Sequence, residues 1–199
     1  MLSLSAPKKF PVTLTIDYGS GCTDSTDGKF RKGKIIAVFH LPWDSTTSSV
    51  SMTLENYYVD NINYQGTITY SKEFSPGSKI PTFTTSVNDA KCKTTDWELK
   101  WSSSRTAKWI DGAATPLYAG DDVYSITGKS EGTNRKGQEY SSETTSALIK
   151  RNSCKWIEKG TISITPKGLA ARELDYGDGS CDNKATISIN GSTFPFYLK

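Results

Sequence analysis

What this chain lacks narrows its chemistry early. It holds one histidine, His40, so motifs that need two histidine ligands are excluded, and a Ser-His-Asp or Cys-His arrangement must use His40 itself. At a strand end before Leu41-Pro42, that residue reads as structural or solvated. The four cysteines, Cys22, Cys92, Cys154 and Cys181, show no CxxC spacing, which argues against a zinc site. No stretch approaches the ~18 apolar residues of a membrane-spanning helix. No excess of one charge exists either: 24 basic and 21 acidic residues are spread throughout, for a net charge of +3. A nucleic-acid protein would gather Lys and Arg on one face. The small basic clusters at Lys29-Phe30-Arg31-Lys32 and Arg135-Lys136 sit beside glycines and read as turn ends. Helical periodicity is also missing, since no segment of ~10 or more residues keeps a clean 3.6-residue period.

What is present is β-structure. Ser and Thr make up roughly a quarter of the residues while Leu is scarce, and Thr suits a half-solvated pleated surface. Ile35, Ala37, Phe39 and Leu41 alternate with Lys34, Ile36, Val38 and His40. Val50-Met52-Leu54 and Ile62-Tyr64-Gly66-Ile68-Tyr70 repeat the pattern, as do runs from Val123 to Leu198. Turn signals punctuate them: Asp27-Gly28, Asp60-Asn61, Ser75-Pro76-Gly77, Asn134 to Gly137, Pro166-Lys167-Gly168 and Asn190-Gly191. Asn190-Gly191 predicts a two-residue type I′ hairpin turn. The expected fold is all-β, an antiparallel sandwich or barrel of roughly eleven to thirteen strands with little helix. Residues 11–199 read as one domain. The segment 1–10, with two lysines and no apolar h-region, reads as a disordered or artificial start rather than a signal peptide. The longest stretch without strand pattern, Asp111 to Asp122, either carries function or is pinned to the core by Leu117 and Tyr118.

One turn motif occurs near each end: Asp17-Tyr18-Gly19-Ser20-Gly21-Cys22 and Asp175-Tyr176-Gly177-Asp178-Gly179-Ser180-Cys181. Each reads as a strand end, a glycine-permitted turn and a cysteine placed to be tied down. Four cysteines allow three connectivities. A hairpin around Pro166 to Leu169 that sets Thr165 against Ala170 places Cys154 opposite Cys181, within disulfide reach. That leaves Cys22 with Cys92; the rival is Cys22 with Cys181. Disulfides point to an oxidising, exported setting. Asp175, Asp178 and Asp182, or Asp24 and Asp27, offer hard oxygen ligands for calcium, but their spacing is not that of an EF-hand, and Asp-Gly is ordinary turn chemistry. No other cofactor is expected.

The aromatic residues are the more suggestive binding candidates. Between Trp97 and Trp109, one strand face carries Trp97, Leu99, Trp101, Ser103, Arg105, Ala107 and Trp109. An arginine with an indole four residues to either side predicts guanidinium packing on a ring. An exposed face of this kind would make a platform for sugar rings; a buried one would be core. Tyr57, Tyr58 and Tyr64 form a second aromatic patch with the same two readings. Acids such as Asp96, Glu98, Asp121 and Asp122 keep a carboxylate-based hydrolase open, although nothing in the sequence brings two together. No catalytic residue is assigned.

Four phrases together carry a resemblance: DYGSGCTDSTDGKFRKGKI at 17–35, ENYYVDNINYQGTITY at 55–70, DDVYSITGKSEGTNRKG at 121–137 and DYGDGSCDNKATISING at 175–191. They resemble a family of uncharacterised Bacteroidota cell-envelope lipoproteins. The resemblance implies export, an all-β fold and a lipid anchor on an N-terminal cysteine, and it carries over no catalytic residue or ligand. None of the four cysteines lies near the start of this chain. The expectation is an exported, periplasmic or cell-surface protein that acts as a non-enzymatic binding or adhesion module. A glycan or an envelope protein is the expected partner. A glycan-binding module and a hydrolase are the alternatives.

Overall fold

The computed structural model describes residues 2–5, 9–42, 45–115 and 117–198, the first four by backbone alone. Among these residues the chain forms fourteen antiparallel strands and one turn of 3-10 helix at Ala119–Asp121. The strands are β1 (Leu2–Ser5), β2 (Val12–Asp17), β3 (Cys22–Thr23), β4 (Phe30–Phe39), β5 (Thr47–Val59), β6 (Ile62–Phe74) and β7 (Pro81–Lys93). They continue as β8 (Glu98–Asp111), β9 (Val123–Thr133), β10 (Glu139–Arg151), β11 (Lys159–Pro166), β12 (Arg172–Asp178), β13 (Lys184–Ile189) and β14 (Ser192–Tyr197). Each strand lies beside its sequence neighbour, except that the short β3 pairs only with β4. Among the described residues, β1 and β14 stand at the two ends of this hydrogen-bonded order. Among the described residues, no helix is long and apolar enough to cross a membrane.

The all-β expectation holds, and the turns explain why the meander runs in sequence order. Ile189 faces Ser192 across Asn190 (φ 51°) and Gly191 (φ 80°), the two positive dihedrals that a type I′ turn requires. Residues 2–5, assigned from sequence to a segment outside the domain, instead pair with β2, Leu2 facing Ile16 and Ser5 facing Thr13. The alternation of Leu2 and Leu4 with Ser3 and Ser5 is itself a strand pattern. The chain divides into two compact units. The first comprises Met1–Glu73, Thr84–Ser103 and Gly132–Gly137; the second comprises Phe74–Phe83, Ser104–Glu131 and Gln138–Lys199.

In the first unit, Val12, Ala37, Val50, Tyr57, Ala90 and Cys92 are buried. Tyr57 anchors this core, with ring centroids of Tyr18 at 5.9 Å and Tyr64 at 6.3 Å. In the second unit, Val123, Leu148, Cys154 and Ala185 are buried. Both cores are thin: among the described side chains, only Cys154 falls below 2% exposure.

Cys154 and Cys181 are joined, with Cα atoms 5.8 Å apart. The pairing matches expectation, but its register argument needs correction. Ile164 faces Arg172 and Ile162 faces Leu174, one residue away from a ladder with Thr165 against Ala170. The ladder then shifts between Thr161 and Lys159, at Gly160 (φ 111°). The cysteines meet beyond it, where the Gly179 amide donates to the Glu158 carbonyl at 2.9 Å. The second expected pair does not form: Cys22 is an exposed free thiol and Cys92 a buried one. Cys22 lies against β4, and β4 and β7 are three spacings apart in the sheet. Two whole strands, β5 and β6, therefore lie between β4 and β7, so the two cysteines are not cross-strand neighbours of the kind a disulfide joins.

Candidate functional site

In the second unit, residues of β8 to β12, with Ile157 of the β10–β11 connection, line a cavity of about 170 Å³. Strand alternation decides which side chains face it. On β9, Ile126, Gly128 and Ser130 are half-buried while Thr127, Lys129 and Glu131 are exposed; on β10, Ser142 and Thr144 are half-buried while Ser141 and Glu143 are exposed. Successive side chains leave a strand on opposite faces. Lys129 and Glu143 therefore edge the cavity with backbone, while their charged groups belong to the outer face. The inner wall combines Ile126, Leu148, Ile157 and Ile162 with the hydroxyls of Ser130, Ser142 and Thr144. The two serine hydroxyls hydrogen-bond each other at 2.8 Å.

Two residues close the cavity from opposite ends of this five-strand segment: Arg105 of β8 and Tyr176 of β12. Four strand spacings separate β8 from β12, which would be about 19 Å in a flat sheet. Sharp coiling brings them together, and glycines permit it. A Cβ on Gly128 would lie 2.4 Å from the Ser104 carbonyl oxygen and 2.9 Å from Arg105 Cγ. One on Gly160 would lie 2.4 Å from the Ala147 carbonyl oxygen. At both places the neighbouring strand occupies the space of a missing side chain, as at the glycine kinks that curve a sheet. The stem of Arg105 consequently rests over Gly128. Burial pushes the Tyr176 phenol above its ordinary range, and the Arg105 guanidinium partly opposes the shift. Among the described residues, Arg105 has no ion-pair or ring partner.

The aromatic candidates are engaged within the protein. Trp97 carries the guanidinium of Arg135, not Arg105, 3.9 Å from its ring centroid. Trp109 stacks on Tyr124 at 6.2 Å, and Phe83 meets Tyr124 edge-on at 6.4 Å. Trp97, Trp101 and Trp109 are all half-buried, and Trp109 Nε1 is buried without a hydrogen-bond acceptor among the described residues. Tyr57 and Tyr64 belong to the core of the first unit, while Tyr58 packs beneath Lys32, whose Nζ lies 4.3 Å from its ring centroid.

The acidic candidates serve turns. Asp175 accepts from the Gly177 amide at 2.8 Å, Asp178 from the Ser180 amide at 3.0 Å and Asp182 from the Lys184 amide at 2.9 Å. Asp17 accepts from Gly19 at 2.8 Å in the same manner, so the repeated Asp-Tyr-Gly motif is one Asx-turn device used twice. Asp24 and Asp27 bind the Arg31 guanidinium. Among the described residues, the group of three metal-type ligand atoms within 4.8 Å consists of Cys154, Glu158 and Cys181. Two of those are the disulfide itself, and the calcium candidates are not gathered. Glu98 is paired with Lys91 and Lys100, and Asp121 accepts from the Thr115 hydroxyl at 2.6 Å. Asp96 accepts from Thr95, and Asp122 is buried near Asn152. His40 shares a 3.0 Å hydrogen bond with Ser51.

The loop from Asp111 to Asp122 is held from beneath, by Asn152 Nδ2 to the Ala119 carbonyl (3.0 Å) and the Ser153 amide to the Gly120 carbonyl (3.1 Å). Leu117 and Tyr118 do not pin it to the core; they are 102% and 63% exposed. Comparison with protein-family models, with characterised proteins and with solved structures yields no match.

Proposed function

We propose that this chain is an exported binding module whose ligand occupies the concavity of β8 to β12. The observation that carries the reading is a half-enclosed cavity of about 170 Å³ with an isoleucine wall, inward hydroxyls and, at its mouth, the exposed Arg105, which has no ion-pair partner among the described residues. A few convergent polar groups in an apolar recess are the usual signature of a small-molecule site. Its volume lies below the ~300 Å³ at which drug-sized sites begin, so the fitting ligand is small or is the terminal group of something larger. The pairing of Trp97 with Arg135 and of Trp109 with Tyr124 counts against an aromatic platform for glycans. The pairing of Glu98 with Lys91 and Lys100 counts against its use in a carboxylate hydrolase. Export is supported by the Cys154–Cys181 disulfide, a bond that oxidising compartments preserve.

Two measurements test this. A fragment library screened by saturation-transfer NMR should give hits that disappear in Ile162→Trp, a variant that fills the cavity; hits that persist in a folded variant overturn the site. Alkylation of the protein in intact cells should label Cys22 and leave Cys154 and Cys181 protected. Labelling of all three overturns export.

A further inference from the structure

We infer that the ligand of this concavity is a small organic anion, a carboxylate on an apolar body, held by Arg105 and Arg172. The inference rests on the ligand reading above and adds its charge. Arg105 is an exposed residue whose stem lies over Gly128 on the inner face. This sets its guanidinium at the mouth of the cavity that it lines, whereas Lys129 and Glu143 leave β9 and β10 on the opposite face.

Arg172 is an independent observation. It lies on β12, on the same half-buried face as Leu174 and Tyr176. It stands opposite Ile164, which in turn stands opposite the cavity-lining Ser142. Its Nη1 is buried, with no hydrogen-bond partner among the described residues. A buried guanidinium nitrogen without an acceptor is costly, and a planar carboxylate is the group a guanidinium fork matches best. The concave face thus carries an exposed guanidinium at the mouth of the cavity and, on Arg172 just outside its lining residues, a buried guanidinium nitrogen that lacks an acceptor among the described residues, beside a recess walled by aliphatic side chains. A cavity of about 150 Å³ lined by such side chains admits benzene, so this one is large enough for a ring-sized body with its carboxylate turned to the mouth.

The test uses benzoate and its neutral isostere benzamide, titrated into the full chain while the NMR signals of Ile126, Ile162 and Tyr176 are followed. Benzoate is expected to shift these signals and to bind about tenfold or more tightly than benzamide, the worth of charge-assisted hydrogen bonds. Arg105→Gln should abolish most of that preference, weakening benzoate binding by a larger factor than benzamide binding. Arg172→Gln, checked for folding by thermal melting, should act in the same direction. Equal binding of the two probes overturns the anion assignment and leaves the concavity as a ligand site. No shift at these residues with either probe overturns both.

Discussion

Arg105 on β8 and Tyr176 on β12 stand over one cavity although three strands lie between theirs in the sheet. Their proximity has an electrostatic consequence. Burial raises the Tyr176 phenol and the guanidinium draws it back, so Arg105→Gln should move the Tyr176 titration to still higher pH. Spectrophotometric titration of the variant against wild type, with Tyr176→Phe subtracted to isolate this phenol, measures the change. A titration that stays in place would mean that the two groups do not meet. The sign for stability follows by linkage. A phenol whose folded pKa lies above its unfolded value of about 10 contributes stability that is complete below that pH. The contribution is lost as pH rises through the folded value. Tyr176→Phe should therefore show a shallower alkaline loss of melting temperature.

The disulfide yields a prediction about magnitude. Cys154 and Cys181 are 27 residues apart in sequence, and a closed loop of that size restricts the unfolded chain by about 3.5 kcal/mol in the entropic model. A Cys154→Ala/Cys181→Ala double variant should lose roughly that much in urea denaturation. Wild type should lose a similar amount on reduction. An unchanged midpoint in both experiments would refute the assignment.

These relationships differ in how far the sequence reveals them. Alternation in β4, β5 and β6 and the Asn190-Gly191 turn are local signals, and they suffice for an antiparallel meander. Pairing Cys154 with Cys181 is legible because both flank one hairpin, even though the ladder itself is offset by a residue. Pairing Cys22 with Cys92 fails because the distance across β5 and β6 is a property of strand order. The cavity is less legible still. Ile126, Ser142, Ile162 and Tyr176 come from four strands, and no periodicity reports how tightly those strands coil. The available signal was Gly128 and Gly160, glycines inside strand patterns, which mark close backbone approach. Likewise, Arg135 reaches Trp97 from the turn after β9, a contact that the spacing of Arg105 between tryptophans does not suggest.

If those glycines permit the coiling, filling them should be costly in a graded way. Gly160→Ala meets the Ala147 carbonyl oxygen at 2.4 Å from a positive φ of 111°, and should cost about 2–3 kcal/mol from clash and backbone strain together. Gly128→Ala meets backbone equally closely, and should also displace Arg105 and weaken binding in the cavity. Gly168→Ala is the control: its φ is 74° with nothing within 4 Å, so only the dihedral penalty of about 1 kcal/mol applies. Denaturation midpoints for the three variants test the order; equal losses would show that the close approach to neighbouring strands carries no weight.

The acidic turns give the pH dependence at the other end of the scale. Asp27 receives two hydrogen bonds from the Arg31 guanidinium, at 2.9 and 2.7 Å, and one from the Lys29 amide at 3.1 Å. The guanidinium bonds, more than the amide, hold its carboxyl far below the usual carboxylate range. Asp24, bonded by the Thr26 hydroxyl and amide, and Asp178, bonded by the Ser180 amide, are lowered as well. A carboxyl with a depressed folded pKa contributes stability that is present above its unfolded value of about 4 and is lost as pH falls toward the folded one. Melting temperature should therefore decline as pH drops below about 4, with Asp27 contributing the steepest share. Asp27→Asn keeps an oxygen for the Lys29 amide but loses the charge, so it should flatten the decline and leave the alkaline limb unchanged. A variant whose acid limb matches wild type would show that the Asp27–Arg31 pair, exposed as it is, contributes nothing to the fold.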